Sequence, residues 1–155
     1  IAYFLGDVNV QSTNMKKTCV AYHSHTLYDI GDFSHSENCA VDGLGVDSKY
    51  AFGSNRIVEC QFCIDCYNSF KLNRCFELDS CTNCADSYFC HNSEGLQEAM
   101  FCFNTKAKRY AIGNTQLSPE KYRGIKDTLI SQMADEIERT KEMKYDIFNI
   151  GCYKK

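Results

Sequence analysis

A chain of 155 residues, 44% of them hydrophobic, is about the size of one domain and can bury a sizeable core, although it contains no Trp. Its formal charge of -3, with acids and bases interspersed, excludes the basic field of a nucleic-acid binder and the like-charged block of a membrane-surface segment. Its apolar runs fall far short of the roughly 20 residues needed to cross a bilayer, so no membrane span is expected either. Eleven cysteines are an odd number, which rules out a complete intrachain disulfide framework and favours a reducing compartment. Three readings of them stay open: thiols packed as small hydrophobes, metal ligands, or partial disulfides.

In chain order, residues 1–11 hold the apolar run Ala2 to Leu5 and then alternating Val8 and Val10, which predicts a leading edge strand. From there a different periodicity takes over. Counting in threes from Cys60 gives Cys63, Cys66, Ser69, Leu72, Cys75, Leu78, Cys81, Cys84, Ser87, Cys90 and Ser93, and the same phase extends back to Thr18 and on to Thr105. Of 18 charged residues between Ser12 and Thr105, indifference would place about 6 in phase; only Asp42 is. The in-phase positions therefore form a buried face. The unit is small first, often aromatic second and polar third, as in Cys63-Ile64-Asp65 and Cys66-Tyr67-Asn68.

A period of three fits neither an α-helix nor a flat strand. It predicts an all-β fold, a parallel β-solenoid of about four to five coils, in which short strands and bends stack and small side chains fill a narrow interior. Coil length must be a multiple of three. A coil of 21 aligns Cys39, Cys60, Cys81 and Cys102, whereas 18 aligns Cys66, Cys84 and Cys102 together with Asn68, Asp86 and Asn104.

Beyond Thr105 the pattern changes. Residues 109–114 predict a last strand and turn, so that the solenoid with its edge strand occupies 1–114. Ser118-Pro119-Glu120 is a helix start, with Ser as N-cap and Pro at the first position. Tyr122, Ile125, Leu129, Met133 and Ile137 then recur at helical spacing, predicting an amphipathic helix over about 119–143 that caps the solenoid. The tail from Tyr145 to Lys155 is apolar enough to pack on a neighbouring surface, so 115–155 belongs to the same domain.

The run Gly95-Leu96, then Met100-Phe101-Cys102-Phe103-Asn104-Thr105-Lys106, Tyr110-Ala111-Ile112-Gly113-Asn114 and Leu117-Ser118-Pro119-Glu120-Lys121-Tyr122 resembles the C-terminal signature of cysteine-triplet proteins from prokaryotes and their large viruses. Those proteins share Cys-x-x-Cys repeats ending in a similar asparagine-containing strand and a helix. The resemblance covers roughly residues 57–135. It implies a solenoid with a helical end, transfers no catalytic residue, and points to a virion or assembly role.

Zinc is the sharpest chemical alternative. Cys60-x-x-Cys63 and Cys81-x-x-Cys84 have the spacing of a four-thiolate site, but the triplet phase predicts the same cysteines without metal. A weaker second cluster joins Cys19, His23, His35 and Cys39, with His25 nearby. His91 beside Cys90 could serve as a base for a thiolate, although sequence neighbours generally point apart. Asp65, Glu77, Asp79 and Asp86 are the acids available for a carbohydrate-cleaving site, which needs two at a defined separation. At the second triplet position Ile64, Tyr67, Phe70, Phe76, Tyr88, Met100 and Phe103 recur, and those left outside would form a stripe suited to a protein partner. The reading is thus a non-catalytic structural or interaction module, self-associating or bound to another protein, with no cofactor expected. A zinc-binding module and a carbohydrate-binding or carbohydrate-cleaving solenoid are the alternatives.

Overall fold

The computed structural model describes residues 9–10, 13–14, 18–22, 30–34 and 45–151. Its strands are β1 (Asn9–Val10), β2 (Thr18–Tyr22), β3 (Ile30–Ser34), β4 (Gly45–Val46), β5 (Lys49–Phe52), β6 (Asn55–Val58), β7 (Gln61–Phe70), β8 (Asn73–Asp79), β9 (Ala85–His91), β10 (Gln97–Met100), β11 (Arg109–Ile112) and β12 (Thr115–Gln116). Two helices follow, α1 (Pro119–Thr140) and α2 (Ile147–Gly151). Over the continuously described stretch 45–113 the strands wind into a parallel β-solenoid of about five turns, with α1 at its C-terminal side. Residues 1–8 and 11 of the expected edge strand lie outside the described residues.

The triplet is a backbone unit. Every third residue from Asp47 to Gly113 has a positive φ, without interruption, and among them only Gly53, Gly95 and Gly113 are glycine. Two extended residues followed by one left-handed residue make one side and one corner, and four such corners close a turn. Parallel pairing fixes the coil at four triplets: Cys63 lies over Cys75, Cys66 over Leu78, Leu78 over Cys90. The same offset joins Asn9 to Ala21, Thr18 to Ile30 and Phe33 to Gly45.

The coil is therefore shorter than either 18 or 21. Those values came from stacking like on like, but the columns are mixed: Ser48, Cys60, Leu72, Cys84 and Leu96 stand one above another. Interior volume is balanced within a level and between neighbouring levels. Leu72 and Leu78 share a level with Cys75 and Cys81, between one of Cys60, Cys63, Cys66 and Ser69 and another of Cys84, Ser87, Cys90 and Ser93. All of these side chains are buried. A narrow close-packed interior has room for two leucines in one level only if the levels next to it are small.

Backbone pairing leaves one donor per triplet unused. The second-position N–H bonds outward to the next coil (Gln61 N–H to the Leu72 carbonyl, 2.9 Å), and the corner N–H bonds back (Lys71 N–H to the Val58 carbonyl, 2.9 Å). The in-phase N–H points inward, where the side chain one coil earlier can accept it: Cys66 N–H donates to Ser54 Oγ at 3.1 Å, and Cys81 N–H to Ser69 Oγ at 3.1 Å. A buried donor without an acceptor is costly, so Ser and Cys serve at these positions better than Ala does.

The last coil ends in a local substitute for a further strand. β12 turns back antiparallel on β11, and the Asn114 amide pairs with both Phe103 groups, accepting from its N–H at 2.9 Å and donating to its carbonyl at 2.8 Å. Helix α1 starts as expected, with Ser118 Oγ accepting the Lys121 N–H, and stops at Lys141, a left-handed cap whose N–H reaches the Ile137 carbonyl. It meets the final coil through Tyr122, tilted against Tyr110, and continues down the flank formed by Met100, Tyr88, Phe76 and Ile64. In the segment after α1, Ile147 is buried and Phe148 stands against Tyr67.

Candidate functional site

The thiols occupy the most constrained place in the molecule. Cys60, Cys63, Cys66, Cys75, Cys81, Cys84, Cys90 and Cys102 are all unpaired and buried. Each Sγ–H donates to the carbonyl two positions before it, at 3.3 Å for Cys60, Cys81 and Cys90 and 3.4 Å for Cys63, Cys66 and Cys84. A second carbonyl, three triplets on, lies within 3.4 Å of Cys81 and 3.5 Å of Cys75. These are bonds of the protonated thiol, whereas metal binding and nucleophilic attack require the thiolate. Contact with Cys63 and burial push Cys60 far up, and burial does the same to Cys75. In the neighbouring pairs Cys81 and Cys84, and Cys90 and Cys102, contact between the two thiols pushes Cys81 and Cys90 up and holds Cys102 at about 7.

The four expected zinc ligands are not brought to one centre. Cys60 and Cys63 share one level, Cys81 belongs to the next, and Cys84 to the one after. Leu72 stands in the column between Cys60 and Cys84, which are two coil steps, about 9 to 10 Å, apart along the stack. Among the described residues no group of three or more His, Cys, Asp or Glu is placed to hold an ion. For the second cluster, Cys19 falls in β2, while His23, His35 and Cys39 lie outside the described residues.

The acids are engaged individually. Asp86 takes a two-pronged bond from Arg74, Nε to Oδ1 at 2.6 Å and Nη2 to Oδ2 at 2.7 Å, which lowers its pKa. Asp79 Oδ2 meets Nδ1 of His91 at 2.9 Å, so this histidine faces a carboxylate on the outside while Cys90 points inward. Asp65 and Glu77 occupy one corner column above Gly53, where an added Cβ would strike the Asp65 carboxylate. Glu77 is only 4% exposed and accepts the Ile147 N–H on Oε2 at 2.9 Å. Burial, reinforced by Asp65 and Asp146, raises its pKa to about 7. Its burial was hidden from the sequence because it depends on Ile147, a residue near the far end of the chain.

The outer aromatic positions divide. Met100 is buried, Phe76 and Tyr88 lie beneath α1, and Ile64 and Phe70 are exposed. The corners add aromatics that sequence reasoning took for a polar face: Tyr50 stacks on Phe62 (centroids 4.8 Å apart, planes within 9°) and Phe89 on Phe101 (5.3 Å, 8°). The available signal was one aromatic four triplets after another in the otherwise polar third position. Val46, Tyr50, Phe52, Phe62, Ile64 and Phe70 together leave a belt of exposed apolar side chains around the coils from 46 to 70, with Phe62 54% exposed. Further along, these columns turn polar, as at Thr82, Glu94, Arg74 and Asp86, or pass beneath α1.

Two apolar hollows adjoin each other where α1 stands off the solenoid. One, of about 250 Å³, lies among Phe89, Phe101, Met133, Met143 and Tyr145. The other, of about 310 Å³, lies among Ile64, Phe76, Tyr88, Met100 and Met133. The class defined by this fold is a parallel β-solenoid with a C-terminal helix. Compared with known proteins, the chain matches no family model and no curated protein.

Proposed function

We propose that the chain is a non-catalytic structural or protein-interaction module of a larger assembly. The observation that carries this reading is the exposure of the large apolar side chains Tyr50, Phe52, Phe62 and Ile64 on one corner of the coil and the side next to it, with Val46 and Phe70 exposed on the opposite side. Large aromatics gathered on one part of a surface favour protein contact, because burying them gains area at small entropic cost. The thiols are consistent with it: they are buried, and their hydrogen bonds to backbone carbonyls stabilise the coil interior. The resemblance to cysteine-triplet proteins of large viruses extends the reading to a virion or a cell-associated assembly.

Sedimentation of the purified chain tests it. Concentration-dependent self-association, or capture of an assembly partner, is expected for the wild type, and Phe62→Asp combined with Phe70→Asp should abolish it without altering the far-ultraviolet circular dichroism. A wild-type monomer that binds no partner, or an associating double variant, overturns it.

A further inference from the structure

The outer column that begins at Phe52 and Ile64 continues beneath α1. In parallel register Ile64 lies over Phe76, Phe76 over Tyr88 and Tyr88 over Met100, so one apolar column runs along one side of the coil, exposed at its first two members and covered at the rest. The cover is loosely built. Tyr122 is the one fully buried residue of α1, Ile130 and Ile137 are exposed, and both hollows lie between the helix and the solenoid. An apolar helix face normally closes on the surface it packs against.

The far end of the cover is held at one point. Past the left-handed Lys141, Ile147 is buried, Phe148 stands 5.2 Å from Tyr67, and the Ile147 N–H donates to Glu77 Oε2 at 2.9 Å. The first turn of α2 is fixed by a reciprocal pair, the Asn149 N–H on Asp146 Oδ1 at 2.7 Å and the Asp146 N–H on Asn149 Oδ1 at 3.1 Å. The same segment therefore carries the Asp146 carboxylate to Glu77. Asp65, one coil earlier in the same corner column, acts on Glu77 from the solenoid side, beside the Tyr67 phenol, so the charged groups around this buried carboxyl are acids. Burial and two like charges disfavour its ionised form while the segment is down; once the segment lifts, water reaches Glu77 and Asp146 leaves. The bond to the Ile147 N–H survives protonation, because a neutral carboxyl keeps an acceptor oxygen.

We propose that the chain from Met133 to Gly151 is a pH-sensitive strap, latched at Glu77, which lies down while Glu77 is protonated and lifts as Glu77 ionises, uncovering Phe76 and Tyr88 and lengthening the exposed column at Phe52 and Ile64. The start of α1 stays in place, held by the Ser118 cap and the buried Tyr122. A carboxyl pushed up to about 7 in the closed form and ordinary in the open one favours closure at acid pH, and closure is lost as pH rises through about 7. What the lengthened column serves rests on the reading of the exposed apolar side chains as a contact surface; the lifting itself does not.

Hydrogen exchange of the full chain at pH 5 and pH 8, corrected for the intrinsic pH dependence of exchange, tests this. Amides of 133–151 should lose protection by at least about tenfold at the higher pH, while those of β7, β8 and β9 keep theirs. Binding of an apolar fluorescent dye should rise in parallel. Glu77→Gln should hold the segment down at both pH values, and Asp65→Asn, which removes one of the two acids, should shrink the change; if Glu77→Gln misfolds, Asp65→Asn decides. Protection that does not depend on pH, equal loss in β7 to β9, no gain in dye binding, or an unchanged pH dependence in a folded Glu77→Gln overturns the strap. Lifting that leaves self-association and partner capture unaltered supports the strap and counts against the contact-surface reading alone.

Discussion

The corner residues set the terms at the scale of single side chains. A non-glycine residue in the left-handed region costs about 1 to 2 kcal/mol, and this chain accepts that cost at Phe62, Lys71, Glu77, Ala107 and many more. Asn and Asp, which tolerate the region best, account for the polar third position seen in the sequence. Ala107, exposed with φ 49°, offers a clean test. Glycine there removes the strain at a smaller cost in unfolded-chain entropy, so Ala107→Gly should stabilise the fold by about 0.5 to 1 kcal/mol in urea denaturation. Gly53→Ala should do the reverse by about 1 to 2 kcal/mol, since its Cβ meets the Asp65 carboxylate as well as an unfavourable φ. An inverted order of these two would show that corner conformation does not govern local stability.

Among elements, the C-terminal segment is the one whose attachment responds to pH. Its hold on the solenoid includes Phe148 against Tyr67, the buried Ile147, and the Ile147 N–H on Glu77. Asp65 on β7, Asp146 just before α2 and the Tyr67 phenol face that carboxylate, and the ionised form is disfavoured by burial first and by these acids second. A folded-state pKa of about 7, against an ordinary 4.5, means that the stabilisation is complete below the ordinary value and is lost as pH rises through about 7. Asp86 and Glu94, lowered by Arg74 and Lys106, act in the opposite sense, but only at more acid pH. Thermal unfolding should therefore show a higher midpoint at pH 5 than at pH 8. Glu77→Gln, which mimics the protonated form, should raise the pH 8 midpoint and flatten the difference; an unchanged pH profile in that variant would remove Glu77 as its source.

At the scale of the molecule, the solenoid, its small-residue interior and the start of α1 at Ser118-Pro119 were legible because each depends on local chemistry repeated in phase. Coil length was not. Any multiple of three preserves the buried face, and matching Cys with Cys chose the wrong multiple because volume is shared within a level, as at Leu72, Leu78, Cys75 and Cys81. What marks the four-triplet coil is on the outside, in pairs such as Arg74 with Asp86, Glu94 with Lys106 at 2.8 Å, and Asn92 with Asn104 at 2.7 Å. Of the candidate sites, the cysteine spacing was visible but its meaning as coil packing required the register. The Glu77 cluster and the hollows under α1 join segments far apart in sequence, and no local pattern announces them.

The division between interior and exterior has a consequence for how such a chain tolerates insertions and deletions. Because the corner and the inward side chain recur with every triplet, the backbone has a frame, much as a coding message does. Adding four triplets inserts a whole coil and restores every outer column; adding one triplet keeps corners at corners and small residues inside, and breaks only the outer pairs; adding a single residue moves charged and aromatic side chains into a space built for thiols. Insertions after Asn83, each repeating the sequence just before it, should therefore rank in stability as whole coil above triplet above single residue, with the last variant failing to fold. Comparable unfolding midpoints for the single-residue and triplet insertions would show that no such frame operates.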